Sequence, residues 1–185
     1  MDEMELLGET RLSGNSVFDG KILHIRCDTV RLPNGRSAVR EYTEHIGAVC
    51  VLPLLENGDV LLERQYRYPV GQVITEIPAG KLDRADEDPL EAAKRELREE
   101  TGALADDWTD LGVFFPACAY SGEKIRLFLA RNLRFAERSP DEDEFLSVFR
   151  LPLRELVRQV MDGQIPDAKT QLAALRVWTL LHETK

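Results

Sequence analysis

The chain has 185 residues, enough for one hydrophobic core with a small appended unit. Hydrophobic residues make up 43% and charged residues 31%, and the formal net charge is −9, which argues against nucleic-acid binding through a broad basic face. No apolar run approaches the roughly 18–20 residues of a membrane span. The acidic start lacks a signal pattern, and the cysteines (27, 50 and 118) match neither a disulfide framework nor a zinc site. We therefore expect a cytoplasmic protein without membrane or nucleic-acid partners.

Residues 1–45 predict a small β unit. Leu23, Ile25 and Cys27 alternate with polar residues, which is typical of a half-buried strand. Residues 17–20 suggest a turn, and Pro-Asn-Gly at 33–35 predicts a hairpin whose second strand runs over 37–44. The unit is too thin to form a core alone. It either extends the sheet of the main domain or serves as a dimerisation element.

Residues 46–185 predict the main domain, in which strands precede and follow one central helix. The pattern predicts strands over 47–55, 60–68, 73–77, 108–115, 125–130 and 145–151, and two closing helices over 152–161 and 167–182. Loops are expected at 69–72, 116–124 and 139–144. In the last helix, Leu172, Leu175 and Trp178 are expected on the buried face. The fold class is therefore α+β, a sandwich around a mixed sheet.

The central helix has clear start and end signals. Asp88 can cap its N-terminus, Pro89 fits the first helical position, and Glu91 completes a plausible capping box. Gly102 is a natural residue for the C-terminal end. The apolar face predicted to pack on the core comprises Leu90, Ala93 and Leu97.

Three acidic residues lie close together near the end of this helix: Glu96, Glu99 and Glu100. Like charges four residues apart repel by roughly 0.2–0.5 kcal/mol, and acids in the last turn oppose the helix dipole. A bound divalent cation would remove both penalties, because hard cations prefer carboxylate oxygens. The alternative is a solvated acidic face.

The stretch from residue 80 to 102 resembles the Nudix box, whose pattern is G-x5-E-x7-R-E-U-x-E-E-x-G-U with U a bulky apolar residue. Residues 95–102 match its core without a gap, and Glu87 lies at the required distance before them. Two positions depart from the pattern. Six residues rather than five separate Gly80 from Glu87, so Asp86 and Glu87 both could fill the early acidic position. Ala103 is small for the final apolar position.

The resemblance implies a Nudix-type α/β/α sandwich, with the small N-terminal β-sheet unit added, that hydrolyses a nucleoside diphosphate linked to another group. It implies two or more divalent ions, Mg²⁺ or Mn²⁺, that neutralise the diphosphate and activate water. It assigns the metal ligands to Glu96, Glu99, Glu100 and the carbonyl of Ala79. Arg95 is expected to pair with an acid of the box and to fix the loop geometry.

The flanking segments are similar to those of the ADP-ribose and nucleotide-sugar pyrophosphatases. The similarity covers about residues 18–170 and includes the runs 64–67, 76–82 and 167–170. In that group the N-terminal unit is exchanged between two subunits, which implies a homodimer in which Arg40 serves the partner's site. Arg67 would contact phosphate, and Glu76 the nucleoside or the metal region. A surface ion pair is the alternative for both arginines.

Two loops carry further candidate acids. Glu123 matches an acid in the substrate loop of these enzymes, although Cys118 and Ala119 stand where Pro-Gly is frequent. In the loop 139–144, Glu142 matches the carboxylate that activates water, with Glu144 as the second candidate. Glu100, on the central helix, is a further candidate catalytic acid. The alternative for each loop acid is a solvated charge.

The sequence therefore predicts a metal-dependent pyrophosphatase that splits ADP-ribose or a related nucleotide sugar into a nucleoside monophosphate and a sugar phosphate. One alternative is a non-catalytic sensor of nucleotide sugars. Another is a hydrolase of oxidised nucleoside diphosphates or triphosphates.

Overall fold

The computed structural model describes residues 2–138 and 145–182. Within them, the β-strands are β1 Thr10–Asp19, β2 His24–Arg31, β3 Ser37–Glu44, β4 Ala48–Pro53, β5 Asp59–Arg67, β6 Gln72–Glu76, β7 Ala79–Lys81, β8 Ala103–Phe114, β9 Ile125–Phe135 and β10 Leu146–Pro152. The α-helices are α1 Glu3–Leu7, α2 Pro89–Thr101, α3 Leu153–Met161 and α4 Ala168–His182.

The chain divides into two compact units. The first comprises residues 1–46 together with 117–124, and the second comprises 47–116 and 125–185. In the first unit, β1, β2 and β3 form an antiparallel meander in that order. The predicted partner strand 37–44 is confirmed as β3, whereas residues 17–19 continue β1, so the turn lies later than the sequence suggested. The segment 117–124 joins this unit by backbone hydrogen bonds of Tyr120 and Gly122 with Thr43, both 2.9 Å long.

The second unit is an α+β sandwich with a mixed sheet, as expected. Its four-stranded sheet has the order β7-β4-β9-β8, in which β4 and β9 are parallel, and a three-stranded antiparallel sheet has the order β10-β5-β6. Alternate side chains of β4 point to opposite faces of the sheet, and both faces are buried. Cys50 and Leu52 belong to the main core with α3 and α4, whereas Val49 and Val51 are buried outside that cluster, on the face where α2 packs.

Three local expectations differ from the structure. Residues 79–81 form a short strand instead of ending one, because they pair with β4. The expected loop at 69–72 contains a short 3-10 helix, Tyr68–Val70. In α4, Leu175 is exposed, and the fully buried positions are Thr170, Ala173, Ala174 and Val177. Small residues form this face because α4 packs closely on α3 and β4, and Leu172 and Trp178 only flank the core.

Candidate active site

The register of α2 is fixed at both ends. The side chain of Asp88 accepts hydrogen bonds from the backbone N–H groups of Leu90 and Glu91, at 2.8 and 3.1 Å. Gly102 ends the helix in the left-handed conformation, with φ of 73°, and its N–H donates to the Arg98 carbonyl. Asp88 is therefore confirmed as the cap. The Glu91 side chain pairs with Lys94 at 2.7 Å, so the capping box is one-sided.

Two of the three acids of α2 are almost completely buried. Glu96 is 8% exposed and Glu100 is 3% exposed, while Glu99 is half-buried. A buried carboxylate is costly unless donors or cations compensate for its lost hydration. Glu100 accepts a hydrogen bond from the backbone N–H of Ala79 at 3.0 Å. The two acids one turn apart thus lie against strand β7, which argues against a solvated acidic face.

Gly80 makes the close approach of Glu96 to β7 possible. A β-carbon built on Gly80 would lie 2.0 Å from both Cδ and Oε1 of Glu96 and 2.4 Å from Oε2. Any side chain at this position would force the Glu96 carboxylate to move. The first glycine of the motif is therefore the residue that admits a carboxylate to the backbone of the loop.

Arg95 connects the acids of the helix with the loop before it. Its Nη1 lies 2.7 Å from Glu96 Oε1 and 3.3 Å from Glu99 Oε2, and its Nη2 donates to the Lys81 carbonyl at 3.4 Å. Partial burial lowers the pKa of Arg95, but the attraction of Glu96 outweighs this effect and the net pKa is raised. The expectation that Arg95 pairs with an acid of the box is confirmed.

The structure distinguishes the two candidates for the early acid of the box. The Glu87 side chain is 14% exposed, and its Oε1 lies 3.6 Å from Arg95 Nη2. Its Oε2 accepts a hydrogen bond from the backbone N–H of Asp83 at 2.6 Å. The Asp86 side chain is 86% exposed and contacts Arg84. Glu87 therefore takes the position, and the extra residue is accommodated in the exposed part of the loop.

The donor chemistry of this cluster fits a divalent cation. Carboxylate oxygens of Glu96 and Glu100 lie beside β7, and Arg95 joins Glu99 to Glu96 on the same helix. Hard cations prefer such oxygens. Arg95 already places a positive charge on two of these carboxylates. Across residues 2–138 and 145–182, no three His, Cys, Asp or Glu side chains form a group ready to hold a metal as they stand. In this arrangement Arg95 pairs with Glu96 and Glu99, and Glu100 accepts its hydrogen bond from Ala79.

A second polar group lies in a cleft of about 520 Å³ between β5, β6 and the start of α4. Arg67 donates to both oxygens of Glu76, from Nε at 2.7 Å and from Nη2 at 2.9 Å. Lys169 contacts Glu76 and also Asp167, the latter at 3.0 Å. In the sequence, residues 167–170 served only to support the family resemblance, and no role was predicted for Asp167 or Lys169. A lysine two residues after a helix-capping aspartate was the available signal.

Sequence reasoning also missed Glu63, which is 1% exposed on β5 and directly opposite Glu76 in the strand register. A single acid after the apolar run 60–62 was the signal for a buried carboxylate.

The remaining candidates lie elsewhere in the chain. Arg40 is on β3 of the first unit and pairs with Glu9. Glu123 belongs to the same unit, 3.8 Å from His45. Glu142 and Glu144 lie outside the described residues. Arg40 thus forms an exposed ion pair in this structure, whereas Arg67 pairs with the buried Glu76.

Comparisons with known proteins identify the family of this chain. The profile of the NUDIX domain matches residues 44–174, and that of the nucleoside diphosphate sugar hydrolase N-terminal domain matches 9–43. The chain is 37% identical over 172 residues to an ADP-ribose pyrophosphatase of Bacillus subtilis, covering 92% of each. It is 34% identical over 149 residues to a GDP-mannose pyrophosphatase of Yersinia enterocolitica, covering 74% of this chain and 77% of the other.

A crystal structure of an ADP compounds hydrolase superimposes with a TM-score of 0.81 and 26% identity, over 92% of this chain and 94% of that one. No helix within the described part of the chain is long and apolar enough to span a membrane. By the profile match and these relatives, the chain belongs to the Nudix family and is a Nudix pyrophosphatase, similar to enzymes of ADP-ribose and nucleotide sugars.

Proposed function

We propose that this protein hydrolyses the diphosphate of ADP-ribose or a related nucleoside diphosphate sugar, giving a nucleoside monophosphate and a sugar phosphate. The observation that carries the proposal is the burial of Glu96 and Glu100 against β7, where Gly80 leaves room for a carboxylate. Buried acids that share one helix edge are suited to binding cations. The similarity to ADP-ribose and GDP-mannose pyrophosphatases supports the substrate class.

Nudix hydrolases generally need divalent metal ions. Mg²⁺ is the ion we propose, with Mn²⁺ as a substitute and two or more ions per site. Glu96, Glu99, Glu100 and the Ala79 carbonyl would hold them. When bound, these ions neutralise the diphosphate and lower the pKa of water.

Arg67 is the proposed phosphate-binding residue, because its guanidinium group lines the cleft and its side chain is 42% exposed. Glu76 keeps Arg67 in place through two parallel hydrogen bonds and lines the same cleft. Such a fork leaves the other edge of a guanidinium available to an anionic ligand.

Further roles follow from the family. Glu142 is proposed as the base that activates water, with Glu144 as the alternative, and Glu123 as a substrate-binding acid. We propose a cytoplasmic homodimer in which the N-terminal β unit, residues 1–45, is exchanged and Arg40 reaches the partner's site. Light scattering tests the dimer, and a strict monomer would remove Arg40 from the site.

A substrate panel tests the reaction. ADP-ribose, ADP-glucose, GDP-mannose, NADH and oxidised nucleoside triphosphates are incubated with and without Mg²⁺, and the products are separated by chromatography. We expect Mg²⁺-dependent cleavage of at least one nucleotide sugar and its loss with a chelator. Tight binding without turnover would instead identify a sensor. Preferential turnover of the oxidised nucleotides would indicate a sanitising hydrolase.

Glu100→Gln tests the role of the acids. The amide keeps the shape of the side chain but removes the charge, so we expect a loss of kcat of roughly a hundredfold or more with the fold intact. Glu91→Gln is the matched control, because Glu91 is an exposed acid of the same helix whose side chain pairs with Lys94. Full activity of Glu100→Gln would refute its assignment as a metal ligand.

A further inference from the structure

The Glu76 carboxylate is held by two cations from different elements. Its side chain is 2% exposed, Arg67 of β5 binds both of its oxygens, and Lys169 of α4 binds one of them. Burial raises the pKa of Glu76, but the bonds to Arg67 and Lys169 outweigh it and lower the net pKa. Glu76 is therefore ionised, and both of its carboxylate oxygens accept hydrogen bonds.

Lys169 is itself fixed from the other side. Its side chain is 11% exposed, and Nζ lies 3.0 Å from Asp167 Oδ1. Burial lowers the pKa of Lys169, but Asp167 and Glu76 outweigh this effect, so the lysine keeps its charge. Lys169 consequently has one position, between two carboxylates.

The same network also contacts Ile77, the residue that follows Glu76. Asp167 Oδ2 accepts hydrogen bonds from the backbone N–H and the hydroxyl of Thr170, at 2.9 and 2.6 Å. The Thr170 hydroxyl oxygen in turn accepts a hydrogen bond from the backbone N–H of Ile77 at 2.9 Å. The first turn of α4 thus fixes Glu76 through its side chain and through the main chain of its neighbour.

Lys169 is one of two cations that compensate the acids of this network. Arg67 and Lys169 pair with Glu76 and Asp167, and the buried Glu63, opposite Glu76 in the strand register, also attracts Arg67. Without Lys169, the Arg67 guanidinium alone would face these acids. Removing one partner of a buried charged pair leaves the other uncompensated. Without Lys169, we therefore expect the Glu76 carboxylate to move or to take up a proton. Either change would release the fork that holds Arg67.

We propose that Lys169 is a positioning residue for substrate binding, which acts through Glu76 to hold Arg67 in the orientation that receives the diphosphate. This inference rests on the proposed function for its ligand. Lys169 does not touch substrate in this arrangement, because its ammonium group is occupied by Glu76 and Asp167.

Steady-state kinetics with ADP-ribose and Mg²⁺ on the full-length protein test the inference. Lys169→Met keeps the length of the side chain and removes the charge. We expect KM to rise about tenfold, equivalent to one charge-assisted hydrogen bond, with kcat changed less than about threefold. Lys169→Arg keeps the charge and should restore KM to within about threefold of the wild-type value. Lys94→Met, which removes a lysine from an exposed ion pair, should leave both constants unchanged.

A double-mutant cycle separates positioning from a general loss of stability. If Lys169 acts through Arg67, the KM of the variant with both Arg67→Met and Lys169→Met should lie within about threefold of that of Arg67→Met alone. A KM of the double variant about a hundredfold above the wild-type value, the product of two independent tenfold effects, would overturn the inference. So would an unchanged KM in Lys169→Met.

A readout without catalysis keeps the inference apart from the proposed function. NMR measures the exchange of the Arg67 Nε proton with water, and the hydrogen bond to Glu76 should slow this exchange in the wild-type protein. Lys169→Met should accelerate it at least about tenfold, because the fork opens. Unchanged exchange would refute the positioning role. A wild-type protein that cleaves no nucleotide sugar would refute the proposed function, while the exchange rates would still decide whether Lys169 holds the fork.

Discussion

Gly80 and Glu96 lie so close together that a methyl group on Gly80 would come within 2.0 Å of the Glu96 carboxylate. The side chain and the loop come from different parts of the motif, and their contact places a buried acid against the backbone of β7. The spacing of the motif therefore reflects a packing requirement as well as a set of proposed metal ligands.

Gly80→Ala should inactivate the enzyme without unfolding it. The added methyl group meets the flexible end of a side chain, so Glu96 can rotate away and stability should change by less than about 1 kcal/mol. The displaced carboxylate should lower kcat roughly a hundredfold, as misplacement by about 1 Å can do. Urea unfolding and the ADP-ribose assay measure the two effects, and full activity would show that the position of Glu96 is unimportant.

Gly102→Ala should destabilise the protein through both conformation and contact. Gly102 has φ of 73°, and a β-carbon there would lie 2.6 Å from the carbonyl oxygen of Ala136. Gly163 has φ of 71° with open space around it, so Gly163→Ala isolates the conformational cost of about 1 kcal/mol. We expect Gly102→Ala to cost at least about 1 kcal/mol more in chemical denaturation. Equal losses would mean that the backbone near Ala136 relaxes freely.

Thr170→Val should weaken the attachment of α4 to the strand before the active-site loop. Thr170 and Ile77 are both fully buried, and valine would leave the Ile77 N–H without its acceptor. We expect a loss of about 1–3 kcal/mol in the free energy of unfolding. Thr179→Val on the exposed face of the same helix should stay within about 0.5 kcal/mol. A loss no larger than that of the control would mean that water replaces the bond.

The cysteines should differ sharply in reactivity. Burial raises the pKa of the Cys50 thiol to about 12, so below that pH the folded protein keeps it as the unreactive thiol. Cys118 is exposed. At about pH 8 a disulfide reagent should modify Cys118 in the native protein and Cys50 only after unfolding. Cys118→Ser should remove the fast phase, and rapid labelling of Cys50 in the native protein would contradict its burial.

The motif of the chain predicts α2 and its charged edge well. Asp88 and Gly102 act locally, since capping depends on residues within one turn, and the sequence therefore defined both ends of the helix. The same locality explains the confirmed pairing of Arg95 with Glu96, its neighbour in the chain. The choice between Asp86 and Glu87 was beyond local reasoning, because it depends on which side chain the loop turns toward Arg95.

The sequence by itself determined the family, most of the strands and helices that follow residue 20 and the helix that carries the acids, because each follows from spacing along the chain. Only the tertiary structure showed that Gly80 admits Glu96, that Glu76 lies between Arg67 and Lys169, and that small residues form the buried face of α4. These contacts join residues as far apart as 76 and 169. Their partners are chosen by close packing and by the need to compensate buried charge, which residue spacing does not encode.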